Sequence, residues 1–251
     1  MGTRRAEIIV AGSAVFAEFM QKCAVRDFRY SPLGLRDGLL EQMAADYDVL
    51  SKSRRQIASD RSDALLAIAK NYHVDLAHAE KVREMAQQLF KQLRRVHALP
   101  ADFNEWLTAA AMLHEVGLYV NRYGWHRHTH YLIAQSEILG YTAHERNLIA
   151  AIARYLGNSR PLASDKQMKL LRPADRANIG KAVVLLRMAR ALNQSRRAVV
   201  QRLSAQVKDS KVRLLVRPRT RAGAELELWA LEKERDYFRE VFGRDLLLDV
   251  L

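Results

Sequence analysis

The spacing of apolar residues predicts that most of this chain folds into amphipathic helices. One stripe runs from Val82 through Leu89 to Val96, and its apolar positions recur every three or four residues, as on one face of a helix. Asp75 can accept hydrogen bonds from the first backbone N–H groups of that helix, and Pro100 should end it. A long helix is therefore predicted between Asp75 and Pro100.

The same pattern predicts helices on both sides of this one. Thr142 and Glu145 have the T-x-x-E spacing of a capping box, which should open a helix that ends near Gly157. Further helices are predicted over residues 5–23, 103–118, 126–139 and 181–194.

The hydrophobic period changes beyond residue 195. Short runs at 204–207, 212–216 and 225–229 are typical of strands, because β-branched or apolar residues in them alternate with polar ones. Residues 231–243 predict a helix that Gly243 closes, and 246–251 predict a final strand. This part of the chain is therefore expected to form a small α+β unit.

These elements predict a mainly α protein with three parts. The segment 49–63 is polar and mixed in charge, which marks a boundary. Residues 1–48 contain too little sequence for a core of their own, so they should pack on something else. An all-helical domain is expected over 49–195, followed by the α+β domain over 196–251.

The composition predicts a soluble protein that binds anionic partners. The formal net charge is +13, and residues 181–221 contain twelve lysines or arginines against one acid. Such an excess attracts nucleic acid, polyphosphate, phosphorylated nucleotides or anionic lipid. No apolar run is long enough to span a bilayer, and Cys23 is the single cysteine. We expect a cytoplasmic protein without disulfides, in which Cys23 is buried in a helix.

The histidines are placed where they could hold a metal ion. His78 lies on the long helix, and His114 with Glu115 ends the next one. This arrangement resembles the HD phosphohydrolase superfamily, whose histidine, histidine–aspartate pair and later aspartate bind a divalent metal that activates water. The resemblance implies that His78, His114 and Glu115 are candidate metal ligands, but it puts Arg190 where the late aspartate should be. Arginine cannot bind a metal, so the set is degenerate.

A closer resemblance covers nearly the whole chain. The stretches RRAEIIVAGSAVFAEFM, YSPLGLRDGLL, AAMLHEVGLYVNRYGWHRHTHYLI, LLRMARALNQSRR and LEKERDYFREVFG occur in the order found in the exopolyphosphatase and guanosine pentaphosphate phosphohydrolase family. In that family two actin-like lobes carry the catalytic carboxylate, the glycine-rich phosphate loops and magnesium, and an HD-like helical domain and a small C-terminal domain follow. Residues 1–48 resemble only the last elements of the second lobe.

The resemblance implies a C-terminal region that binds phosphate chains without cutting them by itself. We expect polyphosphate or guanosine pentaphosphate as partner, a homodimer, and no cofactor in this chain, with magnesium belonging to the absent catalytic lobes. Where the family often has a histidine, this chain has Leu156, so the resemblance to the family's site in the HD-like domain is weaker at this position. The candidate phosphate-binding residues are Arg122, His126, Arg127, His128, Arg154, Lys181, Arg187 and Arg190.

Two other functions remain open on the sequence. A stand-alone, metal-dependent HD phosphohydrolase acting on a nucleotide would need a working ligand set, which Arg190 and Glu115 oppose. A helical nucleic-acid-binding protein would account for the charge, but no recognition helix or base-stacking motif supports it. The choice between polyphosphate and guanosine pentaphosphate also stays open.

Overall fold

A computed structural model provides the structure of the protein and describes most of its residues. It divides the chain into two compact units, Met1–Arg54 and Arg55–Leu251. The predicted boundary between residues 48 and 49 lies outside the described residues, as does the last residue of the predicted final strand. The described ranges are 3–27, 34–40, 53–157, 159–208, 210–219 and 223–250.

The first unit contains a helix α1 (Thr3–Lys22), as predicted, and a second helical segment at 35–40. Cys23 directly follows α1 and is exposed, so the expectation that it is buried is wrong. The apolar side chains of α1, among them Val15 and Phe19, are exposed as well. The described part of this unit has two helical segments and too little chain to cover an apolar face.

The second unit begins with helices, several of which lie where the sequence pattern predicts them. The helix predicted at 103–118 ends at Leu113, and the one predicted at 126–139 ends at Gln135. No helix in the described parts of the chain is long and apolar enough to cross a membrane. A 3-10 helix occupies Val116–Tyr119. The α-helices are α2 (Ser53–Asn71), which starts at the edge of the first unit, α3 (Leu76–Gln92), α4 (Arg94–His97), α5 (Phe103–Leu113), α6 (Trp125–Gln135), α7 (Ala143–Arg154), α8 (Lys166–Lys169) and α9 (Pro173–Ala191).

Local capping signals place the helix ends correctly. The Asp75 carboxylate accepts a hydrogen bond from the His78 N–H at 3.1 Å and caps α3. Thr142 and Glu145 form the reciprocal capping box at the start of α7. The predicted long helix, however, breaks at Leu93, and the short α4 carries the chain towards Pro100.

The His97 side chain stabilises this break. Its Nδ1 accepts a hydrogen bond from the Leu99 N–H at 2.9 Å, so its Nε2–H donates to the Phe90 carbonyl oxygen at 2.8 Å. Carbonyl groups in the last turn of a helix lack partners within the helix. The buried imidazole therefore supplies a donor at the end of α3, where backbone donors run out.

The C-terminal part of the second unit is a small three-stranded sheet with two helices. β1 (Val200–Lys208) and β2 (Lys211–Pro218) form an antiparallel hairpin, and β3 (Asp245–Val250) lies parallel to β2. The crossover between β2 and β3 contains α10 (Glu225–Glu232) and α11 (Arg235–Phe242), which Gly243 ends with φ +63. The predicted strands at 204–207 and 212–216 and the final strand are confirmed.

The strand predicted at 225–229 is wrong, because these residues open α10. The alternation of glutamate and leucine there imitates a strand with one buried face. Glutamate, leucine and alanine are strong helix formers, and a crossover to a parallel strand needs a long connection that is usually helical.

The core lies among α3, α5, α7 and α9, and the sheet adds a second apolar layer. Leu89, Leu107, Ile149 and Leu185 come from these four helices and are fully buried. Where β1 meets α3, the N–H of Leu203 donates to the Gln88 side-chain oxygen at 3.0 Å. The described structure is thus mainly helical with a small α+β part, as predicted.

Candidate functional site

A close approach between the 3-10 helix and α6 positions the histidine-rich segment. The N–H of Gly117 donates to the Thr129 hydroxyl at 3.0 Å, and that hydroxyl donates to the His114 carbonyl oxygen at 3.1 Å. A Cβ atom on Gly117 would overlap the Trp125 carbonyl oxygen and the Thr129 amide nitrogen. Glycine therefore lets the start of α6 lie directly against the 3-10 helix.

The packing of α6 against α7 brings four predicted phosphate ligands together in what we call the cationic surface: His126, Arg127, His128 and Arg154. Burial lowers the pKa of His126, and the charges of Arg154, Arg127 and His128 lower it further. The pKa of Arg154 is lowered by burial first, and Arg127 is among the further causes. These groups are thus close enough to act on one another. Arg122 lies exposed on the loop before α6.

The N-terminus of α6 adds positive potential to the same surface. α6 starts after Gly124, which has φ +67 and offers no side chain to cap the first N–H groups. The unpaired N–H groups and the helix dipole at such an end favour anions. His130, one turn further along, was not among the predicted ligands. Burial and the charge of Arg154 lower its pKa to about 4.

Arg154 has an unpaired donor on this surface. Its Nη1 is buried and has no hydrogen-bond partner. Asp165 acts on the pKa of Arg154, but its carboxylate already accepts hydrogen bonds from the Tyr155 hydroxyl at 2.7 Å and the Leu162 N–H at 3.1 Å. The guanidinium therefore keeps donor capacity for an anion.

The structure does not bring Arg187 and Lys181 into this set. Arg187 donates to both carboxylate oxygens of Glu234, at 2.6 and 3.0 Å, and to the Gly157 carbonyl oxygen at 2.9 Å. These bonds use three of its five N–H donors and fasten α9 to the turn between α10 and α11. Lys181 lies six residues earlier on α9, about 120° around the helix. Its charge contributes to the lowered pKa of His97.

The three candidate metal ligands meet in a second cluster, the histidine centre: His78, His114 and Glu115. One ligand atom from each lies within 4.8 Å of the others, and all three side chains are buried. Both Nε2 atoms lie 3.8 Å from Glu115 Oε1 and have no hydrogen-bond partner. Burial lowers the pKa of His114 to about 4, so this imidazole is neutral at pH 7.

Arg196 closes the histidine centre from the loop after α9. Its Nη2 lies 2.6 Å from Glu115 Oε1, and its Nη1 lies 3.1 Å from Asp75 Oδ2. Burial alone would raise the pKa of Glu115, but the neighbouring histidines and Arg196 outweigh burial and hold it below its ordinary value. The carboxylate is therefore ionised and paired with a guanidinium.

Arg190 lies between the two clusters. Its guanidinium carbon is 5.6 Å from the centre of the Trp125 ring, at the start of α6. Its pKa is lowered by burial, and Glu115 partly offsets that effect. The position where the resemblance places a metal-binding aspartate thus holds a cation that acts on the histidine centre.

No motif in the sequence identified Asn193 as the partner of His78. The Asn193 side-chain amide donates to His78 Nδ1 at 2.9 Å, across 115 positions of sequence. The same side chain accepts a hydrogen bond from the Ala198 N–H at 3.0 Å. In the sequence, Arg196 is only one of the twelve lysines or arginines at 181–221. A buried asparagine next to a helix end is the kind of residue that could have directed attention to this contact.

The model of one protein family, described as Ppx/GppA phosphatase, domain III, matches residues 61–235. A guanosine-5'-triphosphate,3'-diphosphate pyrophosphatase of Pseudoalteromonas atlantica is 30% identical over 146 residues, which are 58% of this chain and 27% of that protein. One of the same name from Aeromonas hydrophila is 27% identical over 154 residues, 61% of this chain and 29% of its own length. The matched part is thus under a third of either relative.

Proposed function

Because this chain belongs to the Ppx/GppA phosphatase family, we propose that it binds the phosphate chain of polyphosphate or of guanosine pentaphosphate on its cationic surface. The observation that carries the proposal is an unpaired donor on Arg154. This half-buried arginine lies near His126, His128 and Arg127, and its Nη1 makes no hydrogen bond. Such donors gain most from an acceptor with several charged oxygens. The chain would hold the substrate and not cleave it by itself.

Both substrates share the condensed phosphate chain that this surface would recognise. The two relatives are named for guanosine-5'-triphosphate,3'-diphosphate, which favours testing that nucleotide beside inorganic polyphosphate. A polyanion should place successive phosphates against Arg154, Arg127 and the start of α6, since these groups lie on one surface. Each ionic contact releases counterions, so affinity should fall steeply with salt.

We expect Arg154→Gln to weaken binding of long-chain polyphosphate about tenfold, because one charge-assisted contact is lost. The slope of log affinity against log salt concentration should become smaller by about one, because one fewer counterion is released on binding. Fluorescence anisotropy with end-labelled polyphosphate at several salt concentrations measures both. The pentaphosphate nucleotide and duplex DNA serve as competitors.

Arg83→Gln is the matched control, because Arg83 is also a half-buried arginine but pairs with Glu80 at 2.6 Å on α3. It should leave polyphosphate affinity unchanged. Equal losses in both variants would mean that only overall charge matters, and the proposal would fail. Tighter binding of duplex DNA than of polyphosphate at matched charge would favour the nucleic-acid function instead.

We also propose that the chain forms a homodimer, as the resemblance implies. Support comes from the segment at 118–123, where Leu118, Tyr119, Val120 and Tyr123 are exposed, since contiguous exposed apolar groups often mark interfaces. Sedimentation velocity should give a dimer of the 28.7 kDa chain, and Val120→Glu should shift it towards monomer. Leu139→Glu, at another exposed leucine, should have no such effect. A native monomer would refute the dimer.

A further inference from the structure

The histidine centre has the composition of a transition-metal site. Two imidazoles and a carboxylate, with ligand atoms within 4.8 Å of one another, are groups that bind zinc or cobalt in proteins. The resemblance to HD phosphohydrolases also implies a metal at this place. The surrounding contacts decide whether the three side chains are available as ligands.

The hydrogen bonds around His78 remove it from the ligand set. Because the Ala198 N–H donates to the Asn193 side-chain oxygen, the amide nitrogen of Asn193 faces His78 Nδ1 and donates to it. A neutral imidazole that accepts at Nδ1 carries its proton on Nε2. That Nε2 is the atom directed towards Glu115, and it has no lone pair for a metal.

His114 has the opposite tautomer, since its Nδ1 lies 2.7 Å from the Ala111 carbonyl oxygen and must donate to it. Its Nε2 therefore offers a lone pair. Glu115 is no free partner, because Arg196 already lies 2.6 Å from its Oε1. Of three apparent ligands, one imidazole remains available in this arrangement.

The local charge also opposes a divalent cation. Arg196 and Arg190 both act on His78, and each lowers its pKa. A metal ion entering here would have to displace one guanidinium and stay near the other. Ligand groups that already hold a cation do not gain from a second one.

We propose that the guanidinium of Arg196 replaces the metal ion in this centre and that the ionic contact fastens the connection between α9 and β1. Arg196 and Ala198 have φ +60 and +49, a backbone region that is unfavourable for residues with side chains. Such conformations persist where surrounding contacts hold them. The bonds from Arg196 to Glu115 and Asp75, and from Ala198 to Asn193, supply those contacts.

The native protein provides the first test. The protein is titrated with Co²⁺ alone, and binding is followed by visible absorption and by metal analysis after dialysis. We expect no bound Co²⁺ that is lost when His114 is replaced. Comparison of native protein with His114→Gln separates this centre from other histidines. One equivalent bound by the native protein and lost in His114→Gln would overturn the proposal, whatever any other variant does.

The second test removes the obstacles one by one. Arg196→Ala frees the Glu115 carboxylate, and Asn193→Asp supplies an acceptor for a proton on His78 Nδ1 while it still accepts from the Ala198 N–H. A carboxylate behind a histidine is the usual support of a metal-binding imidazole. The double variant should bind Co²⁺ at least about tenfold more tightly than native protein, since second-shell changes have effects of that size.

Adding His114→Gln to the double variant should abolish the gain. Circular dichroism establishes that each variant is folded before it is titrated. A folded double variant that binds Co²⁺ no better than native protein would contradict the competition between guanidinium and metal. If the double variant does not fold, Arg196→Lys provides the test. Its ammonium group should also exclude Co²⁺. If this variant binds one equivalent of Co²⁺ and loses it when His114 is also replaced, the proposal is overturned.

Discussion

Replacing Gly117 with alanine should lower the free energy of unfolding of the helical unit by about 3 kcal/mol or more. The added methyl group would overlap the Trp125 carbonyl oxygen and the Thr129 amide nitrogen, and would lie 2.6 Å from the Thr129 hydroxyl. Two of these neighbours are backbone atoms of α6, which cannot rotate away as a flexible side chain can. Urea unfolding monitored by circular dichroism measures the loss.

Gly180→Ala is the control for this experiment. Gly180 lies within α9, and a Cβ atom there would meet the Tyr237 hydroxyl at 3.9 Å and Pro161 at 4.0 Å, which are ordinary contacts. Alanine is the better helix former, so this variant should be more stable by up to about 1 kcal/mol. A Gly117→Ala protein that unfolds at the same urea concentration as the native protein would show that α6 can move away from the 3-10 helix.

Stability should fall as the pH is lowered from about 6.5 to about 4, because His114 is buried as a neutral imidazole. Its pKa is lowered from the ordinary 6.5 to about 4, mainly by burial. Below pH 6.5 the unfolded chain binds a proton on this residue that the folded chain does not. Through His114 alone, each pH unit in this window lowers the free energy of unfolding by about 1.4 kcal/mol, or about 3 kcal/mol in all.

His114→Gln should make this acid limb shallower by the contribution of His114, since glutamine has no proton to bind, while His130, whose pKa is also lowered to about 4, keeps its own contribution. Its amide can still donate to the Ala111 carbonyl oxygen. In the native protein this oxygen accepts a hydrogen bond from His114 Nδ1 at 2.7 Å. Unfolding free energies measured by urea titration from pH 4 to pH 7.5 give the slope for both proteins. A His114→Gln protein with the native slope would locate the pH dependence at other groups.

Local chemistry explains which elements could be predicted from the sequence. Asp75 caps α3, and Thr142 with Glu145 caps α7, because a capping side chain needs only backbone N–H groups two or three residues away. The same is true of Gly243, whose φ of +63 ends α11. These signals depend on no distant part of the chain.

Elements that depend on distant packing were harder to predict. The alternation at 225–229 suggested a strand, but the connection between two parallel strands decides its structure, and α10 forms there. Cys23 was expected in a core because its neighbours are apolar, yet the described part of its unit leaves it exposed. Neither outcome follows from the local pattern of apolar and polar positions alone.

The candidate sites divide in the same way. His126, Arg127, His128 and Arg154 come together because α6 and α7 pack side by side, and the helical pattern implied both helices. The contact between Asn193 and His78 spans 115 positions, and Arg187 was expected to bind phosphate but is paired with Glu234. A basic residue in a sequence does not reveal whether an acid elsewhere in the fold already neutralises it.

The contact between β1 and α3 restricts how the small sheet can grow. Two glutamine side chains of α3 accept hydrogen bonds from outward-facing N–H groups of β1. Gln88 accepts from Leu203, and Gln92 accepts from Ala205 at 3.4 Å. A strand arriving from that side would have to break both bonds and displace a helix. With the order β1-β2-β3, the remaining border of the sheet belongs to β3. An incoming extended segment would therefore align along Asp245–Val250.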